Sequence, residues 1–166
     1  MEKISLSGCQ ILAQDIKLGT VVPKFEYDNL PLDGFSAWFM ENAKCFEKRL
    51  TSVPKEINYT QHTAMQCFHN SELVALGNKA IHYYEGIMYG LKFKEHFHHG
   101  FLILDDTVLD ITYIKNPDHF EKMKDKDFVY YGIHIPTQFV SSFGNISKYQ
   151  NQHTPLLYQY YKKLHP

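Results

Sequence analysis

Three residues of this chain have the types and the order required for nucleophilic catalysis: Cys67, His99 and Asp110. Cys67 stands near the start of a predicted helix, where the helix dipole favours the thiolate, the nucleophilic form of cysteine. His99 opens an apolar strand, and an imidazole can take the thiol proton and later return it to a leaving group. Asp110 is expected on the following strand between Leu109 and Ile111, where an unpaired carboxylate would be costly. We therefore predict a Cys-His-Asp catalytic triad.

Two further polar residues are candidates for supporting roles. Gln61 lies six residues before Cys67. Its side-chain amide could join the backbone N–H of Cys67 in an oxyanion hole, although Gln66 competes for that role. Glu85 either supports the histidine strand or lines the cleft and binds substrate, and we favour the supporting role.

The ten histidines leave two alternatives open. His98 is a rival for the role of base, and successive strand residues face opposite sides, so only one of His98 and His99 can face Cys67. A zinc site could use His96, His98 and His99, with Cys67 and His69 upstream. The chain contains no CxxC or HExxH motif, so the zinc site stays an alternative and the primary prediction contains no metal.

The elements that must position these residues follow from the hydrophobic spacing. Apolar residues at helical spacing predict one helix over 34–50, which includes Trp38 and Cys45, and a second over 63–79. Runs of β-forming residues predict strands at 81–89, 97–104, 108–113 and 128–135. Two more helices are predicted at 116–124 and 155–164. Short apolar pieces within the first 30 residues predict a strand or an extended arm. The two strands around Asp105-Asp106-Thr107 form a predicted hairpin. This order predicts an α+β fold with N-terminal helices packed on an antiparallel β-sheet.

Length and composition narrow the class of protein. A chain of 166 residues, 44% hydrophobic and 21% charged, predicts a single globular domain over 1–166, with a catalytic core at about 60–135. The net charge of −1 and the single arginine, Arg49, disfavour nucleic-acid binding. No apolar stretch approaches the ~20 residues of a membrane helix, so no membrane partner is expected. Three cysteines without close pairing favour free thiols and the cytoplasm, with signal-free secretion or delivery into a host cell left open.

The order of Cys at a helix start, His at a strand start and Asp on the next strand resembles the papain-like and transglutaminase-like cysteine hydrolase superfamily. The segment HGFLILDDTVLDIT resembles the transglutaminase-like signature of His-Ala-Trp, strand, turn, strand and Asp-Pro-Thr. The segments CFHNS and YYEG resemble parts of small bacterial and phage proteins with that core. The resemblance covers about residues 60–113.

The resemblance implies a papain/transglutaminase-like core in which Cys67 is the nucleophile, His99 the base and Asp110 the residue that orients His99. Gln61 would donate to the oxyanion. The implied activity is cleavage or transfer at an amide bond of a protein or peptide, as a peptidase, a deamidase or a transglutaminase-like enzyme, with no cofactor. The alternative is a catalytically silent protein-binding module on the same fold.

Overall fold

The structure, a computed structural model, describes residues 6–23, 25, 34–57, 59, 66–116, 128–143 and 155–166. Its helices are α1 (Gly8–Lys17), α2 (Phe35–Asn42), α3 (Cys67–Gly77), α4 (Ile111–Lys115), α5 (Thr137–Ser142) and α6 (Leu157–Leu164). Its strands are β1 (Lys44–Phe46), β2 (His82–Gly90), β3 (Glu95–Leu104), β4 (Thr107–Leu109) and β5 (Phe128–His134). Within these ranges, no helix has the length and apolar character needed to cross a membrane.

The five strands form one antiparallel sheet in the order β1-β5-β2-β3-β4. The predicted hairpin is confirmed, since Leu104 pairs with Thr107 and only Asp105 and Asp106 lie between β3 and β4. Both aspartates have positive φ angles, 47° and 59°. A two-residue hairpin turn of type I′ needs this left-handed backbone at both positions, and Asp tolerates it better than most residues. The α+β class and the antiparallel sheet are therefore as predicted.

The sheet is buried on both faces. One face packs against the helices through a large apolar core, and the other carries a mainly aromatic cluster. Because side chains alternate along a strand, neighbouring residues of β3 enter different cores. Leu102 belongs to the first core, whereas Phe101 and Ile103 belong to the second. The same alternation sends His98 and His99 to opposite faces of the sheet.

Among the described residues of the first 30, Gly8–Lys17 form the helix α1, so the predicted strand or extended arm is wrong for this segment. A capping box starts α1: the Ser7 hydroxyl accepts from the Gln10 N–H, and the Gln10 side chain accepts from the Ser7 N–H at 2.8 Å. These two bonds satisfy N–H groups that a helix start otherwise leaves without partners. Leu12 is buried against Val21, Tyr89 and Val129. Local capping and this packing together outweigh the weak apolar pattern of the segment.

The helix predicted over 34–50 ends at Asn42, and Cys45 lies in β1 rather than in a core helix. Residues 44–46 pair with β5, with Cys45 opposite Tyr131. Cys45 also forms a disulfide with Cys9, which corrects the expectation of three free thiols. The bond joins α1 to β1 across 36 positions of sequence, so no local sequence motif predicts it. Only Cys67 keeps a free thiol.

The strand predicted over 108–113 ends at Leu109, so Asp110 is not within a strand. Asp110 is the N-cap of α4, and its Oδ1 accepts from the Tyr113 N–H at 3.0 Å. An aspartate side chain at this position satisfies a helix N–H and stops the strand from continuing. Helix α5 was not predicted, while α6 matches the prediction for 155–164. The helix predicted over 116–124 lies outside the described residues, apart from Asn116.

Candidate active site

Cys67 is the first residue of α3 and is partly exposed. The N-terminal half of α3 lies directly on β3, where the Ser71 hydroxyl donates to the Gly100 carbonyl at 3.1 Å. Gly100 permits this contact, because a Cβ at that position would come within 2.9 Å of the Cα of Phe68. Cys67 precedes Phe68 and His99 precedes Gly100, so the close approach of helix and strand brings the thiol to the imidazole.

His99 connects the thiol to a buried carboxylate. Its Nε2 lies 2.8 Å from Oδ2 of Asp110, and its side chain is also hydrogen-bonded to Cys67. His99 has only two ring nitrogens. With Nε2 on the carboxylate, Nδ1 is the nitrogen that remains for the thiol. The ring is buried, with a residue exposure of 5%.

Asp110 is almost completely buried and accepts three hydrogen bonds. Oδ2 accepts from Nε2 of His99 and from the Tyr130 hydroxyl at 2.9 Å, and Oδ1 accepts from the Tyr113 N–H. A carboxylate that is satisfied in this way can remain ionised away from water. Its three donors come from β3, β5 and α4, so three elements fix its position.

The charges of the pair stabilise each other. Burial alone would raise the pKa of Asp110, but the charge of His99 and the hydrogen bonds from His99, Tyr113 and Tyr130 lower it. Burial alone would lower the pKa of His99, but the charges of Asp110 and Cys67 and hydrogen bonds to both raise it well above its usual value. Both shifts favour an imidazolium beside a carboxylate.

His98 lies on the other face of β3 and has its own carboxylate. Its Nε2 is 3.1 Å from Oε1 of Glu85, and its ring packs edge-on against Phe68 and Phe25. The two adjacent histidines thus belong to two separate acid–imidazole pairs. Of the two histidines, His99 is the one that hydrogen-bonds Cys67 and Asp110, whereas His98 contacts Glu85.

Glu85 is fully buried and connects three parts of the fold. Besides His98, it accepts from the Tyr83 hydroxyl at 3.0 Å and from the Leu156 N–H at 2.7 Å. These bonds link β2 to β3 and to the residue before α6. Through His98 these contacts reach the histidine strand, and the supporting role of Glu85 remains a prediction. Gln61 lies outside the described residues.

Glu72 is a buried titratable group near the site that is not among the residues predicted from the sequence. Its Oε1 has no hydrogen-bond partner among the described residues. Burial, followed by the negative charges of Glu85 and Cys67, raises the pKa of Glu72 to about 8. The carboxyl is therefore neutral at pH 7. The one signal in the sequence is that Glu72 is the only carboxylate in the segment CFHNSELVALG.

The histidine cluster proposed for zinc is divided by the sheet. His98 and His99 face opposite sides, and each contacts a different carboxylate. Across the described part of the chain, no group of three His, Cys, Asp or Glu side chains has a metal-binding arrangement.

Comparison with known proteins gives no relative. No protein-family model matches the chain, and no curated protein and no solved structure is significantly similar to it. The function proposed below therefore rests on the chemistry of Cys67, His99 and Asp110.

Proposed function

We propose that the protein is a cysteine-dependent hydrolase or acyltransferase that acts on an amide bond. Cys67 is the nucleophile, His99 is the general base and then the general acid, and Asp110 orients His99. The observation that supports this most strongly is the position of His99, which hydrogen-bonds Cys67 and holds a buried carboxylate 2.8 Å from Nε2. A base that is oriented by a third group is the arrangement that activates a weak nucleophile.

The reaction begins with the Cys67 thiolate and the His99 imidazolium. Sulfur attacks the carbonyl carbon of the amide, a C–S bond forms, and the carbonyl oxygen becomes an oxyanion. His99 then donates a proton to the amide nitrogen, the C–N bond breaks, and the amine leaves behind a thioester on Cys67. A water molecule, deprotonated by His99, attacks the thioester, and cleavage of the C–S bond releases the acid and the thiolate.

An amine in place of water completes the same cycle as a transamidation. The site chemistry is common to peptidase, deamidase and transglutaminase-like reactions, and the proposed substrate is a protein or peptide. The helix start at Cys67 supports the papain/transglutaminase-like resemblance, which we retain as part of the proposal. His99 is the fifth residue of β3 and Asp110 is the N-cap of α4, so these two residues depart from the pattern of a histidine at a strand start and an aspartate on the next strand.

The oxyanion needs hydrogen-bond donors near Cys67. The first N–H groups of a helix have no intrahelical acceptor, and the N–H of Cys67 occupies the first position of α3. We assign the backbone N–H of Cys67 as one donor and keep Gln61 as the proposed second donor.

The compartment forms a separate part of the proposal. Three free thiols were one of the indications for the cytoplasm, and the Cys9–Cys45 disulfide leaves one. Disulfides persist in oxidising surroundings and are rare in the reducing cytoplasm. We therefore propose that the protein works in an oxidising compartment.

Alkylation with iodoacetamide tests the nucleophile without knowledge of the substrate. At about pH 5.5 an ordinary thiol, with a pKa of ~8.5, is almost entirely protonated and reacts slowly. We expect native Cys67 to react at least about tenfold faster than the same thiol in the urea-unfolded chain. Peptide mapping should place the label on Cys67, and Cys67→Ala should remain unlabelled.

Two variants separate the triad from simple exposure of the thiol. His99→Ala and Asp110→Asn should lower the alkylation rate of native Cys67 towards the unfolded value, while circular dichroism confirms that each variant is folded. A wild-type rate no higher than that of the unfolded chain would refute the activated thiol and would favour a catalytically silent binding module.

A further inference from the structure

Tyr130 is a buried residue of β5 whose hydroxyl reaches the triad. It donates to Oδ2 of Asp110 at 2.9 Å, on the same carboxylate oxygen that contacts Nε2 of His99. The Tyr130 ring packs against Phe101 in the aromatic face of the sheet, which fixes its position. The hydroxyl is therefore held at the carboxylate by the core itself.

Arg49 interacts with the Tyr130 hydroxyl, which in turn donates to Asp110. Its backbone segment runs beside β4, with the Val108 N–H donating to the Lys48 carbonyl at 2.9 Å and the Leu50 N–H donating to the Val108 carbonyl at 2.8 Å. The Arg49 guanidinium carbon lies 4.1 Å from the centre of the Tyr113 ring. The guanidinium also hydrogen-bonds the Tyr130 hydroxyl.

The direction of this hydrogen-bond chain is set by the chemistry of its members. A guanidinium has only donors and a carboxylate has only acceptors. The Tyr130 oxygen must therefore accept from Arg49, and the single hydroxyl proton of Tyr130 is left to donate to Asp110. Asp110 then accepts from Nε2 of His99, which leaves Nδ1 for the thiol.

Arg49 contacts both residues that hold Asp110 from outside the triad. The Tyr130 hydroxyl donates to Oδ2, and the Tyr113 backbone N–H donates to Oδ1. The groups that face Asp110 are thus His99 from β3, Tyr130 from β5, Tyr113 from α4 and, behind them, Arg49. Arg49 is also the only arginine among 17 basic residues.

From this geometry we propose that Arg49 and Tyr130 are positioning residues that fix Asp110, and through Asp110 the orientation of His99. The inference depends on the proposed function, since it assigns a purpose to these two residues in the activation of Cys67. Arg49 acts chiefly through Tyr130, because its interactions with the Tyr130 hydroxyl are larger than its direct charge interaction with Asp110.

The test compares Tyr130→Phe, Arg49→Met and the double variant with wild type in the alkylation of Cys67 at about pH 5.5. Each single variant should react about tenfold more slowly, the size expected for the loss of one hydrogen bond to a charged group. Because Arg49 acts through Tyr130, the double variant should show no further loss. Arg49→Lys should lose less than Arg49→Met, since its ammonium can still donate to the Tyr130 hydroxyl. Some loss should remain, because Lys cannot stack its head group on Tyr113 as a planar guanidinium does.

A second measurement follows His99 directly. The Nε2 proton that is held by Asp110 should give a downfield, slowly exchanging proton NMR signal in wild type. That signal should broaden or disappear in Tyr130→Phe and Arg49→Met. Tyr131→Phe is the matched control, since it removes a hydroxyl from the next residue of β5, one that donates to the Met40 carbonyl at 2.9 Å, and it should change neither measurement.

The outcomes separate the two proposals. Unchanged alkylation and an unchanged Nε2 proton in both single variants would overturn the positioning role. Losses that add in the double variant would overturn the action of Arg49 through Tyr130. If wild-type Cys67 shows no activation, the proposed function fails, and with it the purpose given to Arg49 and Tyr130. The Nε2 signal would still show whether they hold His99. Arg49→Lys supplies the comparison if Arg49→Met does not fold.

Discussion

Gly100 and Phe68 lie in such close contact that a Cβ on Gly100 would come 2.9 Å from the Cα and 2.9 Å from Cδ1 of Phe68. Real Cβ atoms are essentially never found that close to a backbone carbon, so only glycine fits here without displacing α3. Each of these residues directly follows a member of the triad in sequence. The distance between Cys67 and His99 therefore depends on the absence of a side chain at position 100.

We predict that Gly100→Ala pushes the first turn of α3 away from β3. Overpacking of a buried contact costs typically about 1–3 kcal/mol in the free energy of unfolding, which urea denaturation measures. The alkylation rate of Cys67 should also fall, because the thiol moves away from His99. Gly90→Ala is the control: its new Cβ would come closest to the Phe128 ring, at 3.3 Å, and a ring can shift, while the Glu95 carbonyl oxygen at 3.8 Å is at ordinary contact distance. Equal effects of the two substitutions would contradict this role of Gly100.

We predict opposite results from alanine substitutions at the two adjacent histidines. His99→Ala removes the base and should reduce Cys67 alkylation to the rate of the unfolded chain. His98→Ala leaves Glu85 without one of its partners and should lower the free energy of unfolding by about 1–3 kcal/mol. Its alkylation rate should stay close to that of wild type. Loss of reactivity in His98→Ala alone would transfer the role of base to His98.

The features that sequence predicted correctly are those that depend on local pattern. The strands β2 and β3, the turn at Asp105-Asp106 and the start of α3 near Cys67 all follow from the residues of short segments. The local pattern of apolar residues is sufficient to predict such elements, because it reflects which of their side chains face one or two packed layers. The proximity of His99 and Asp110 also followed from that turn, although Asp110 lies one residue beyond β4.

The features that sequence missed depend on contacts between distant segments. Cys45 shows helical spacing with its neighbours, but pairing with β5 and the bond to Cys9 place it in a strand. Asp110 follows the end of β4 and its side chain caps α4. The strand-forming residues on both sides of Asp110 predict a continuing strand and give no sign of this cap. Tyr130 and Arg49 meet Asp110 from 20 and 61 positions away in the sequence, so spacing gives no signal of their contact.

We predict that the stability of the protein falls as the pH rises from about 4.5 to 8, because of Glu72. In the unfolded chain this carboxyl loses its proton near its ordinary pKa of 4.5, whereas in the folded chain it keeps the proton to about 8. Between these values only the folded state holds the proton, which costs about 1.4 kcal/mol of stability per pH unit. By pH 7 the cost is about 3 kcal/mol.

Glu72→Gln should remove this dependence. The variant and wild type should unfold at similar urea concentrations near pH 4.5, and the variant should become progressively more stable than wild type towards pH 7. Glu41→Gln, which changes an exposed carboxylate of α2, is the control and should follow the wild-type curve. Parallel curves for wild type and Glu72→Gln would show that Glu72 is ionised in the folded chain.

The Cys9–Cys45 bond makes a prediction about stability that is separate from the active site. Without reductant, each folded chain should show one titratable thiol, and three after reduction. The bond closes a loop across 36 positions of sequence, and loop-closure entropy gives about 4 kcal/mol of stabilisation for that length. The double variant Cys9→Ser with Cys45→Ser should lose about that much in urea denaturation.

Alkylation of Cys67 should nevertheless keep its wild-type rate in the disulfide-free variant. Helix α1 has other attachments: the Tyr89 hydroxyl donates to Asp15 at 2.7 Å, and the N–H of residue 9 donates to Glu47 at 2.7 Å. These contacts do not require the disulfide, and none of them involves His99 or Asp110. A parallel loss of stability and Cys67 reactivity would show that the attachment of α1 to β1 also positions the triad, whereas three thiols before reduction would show that the bond is absent.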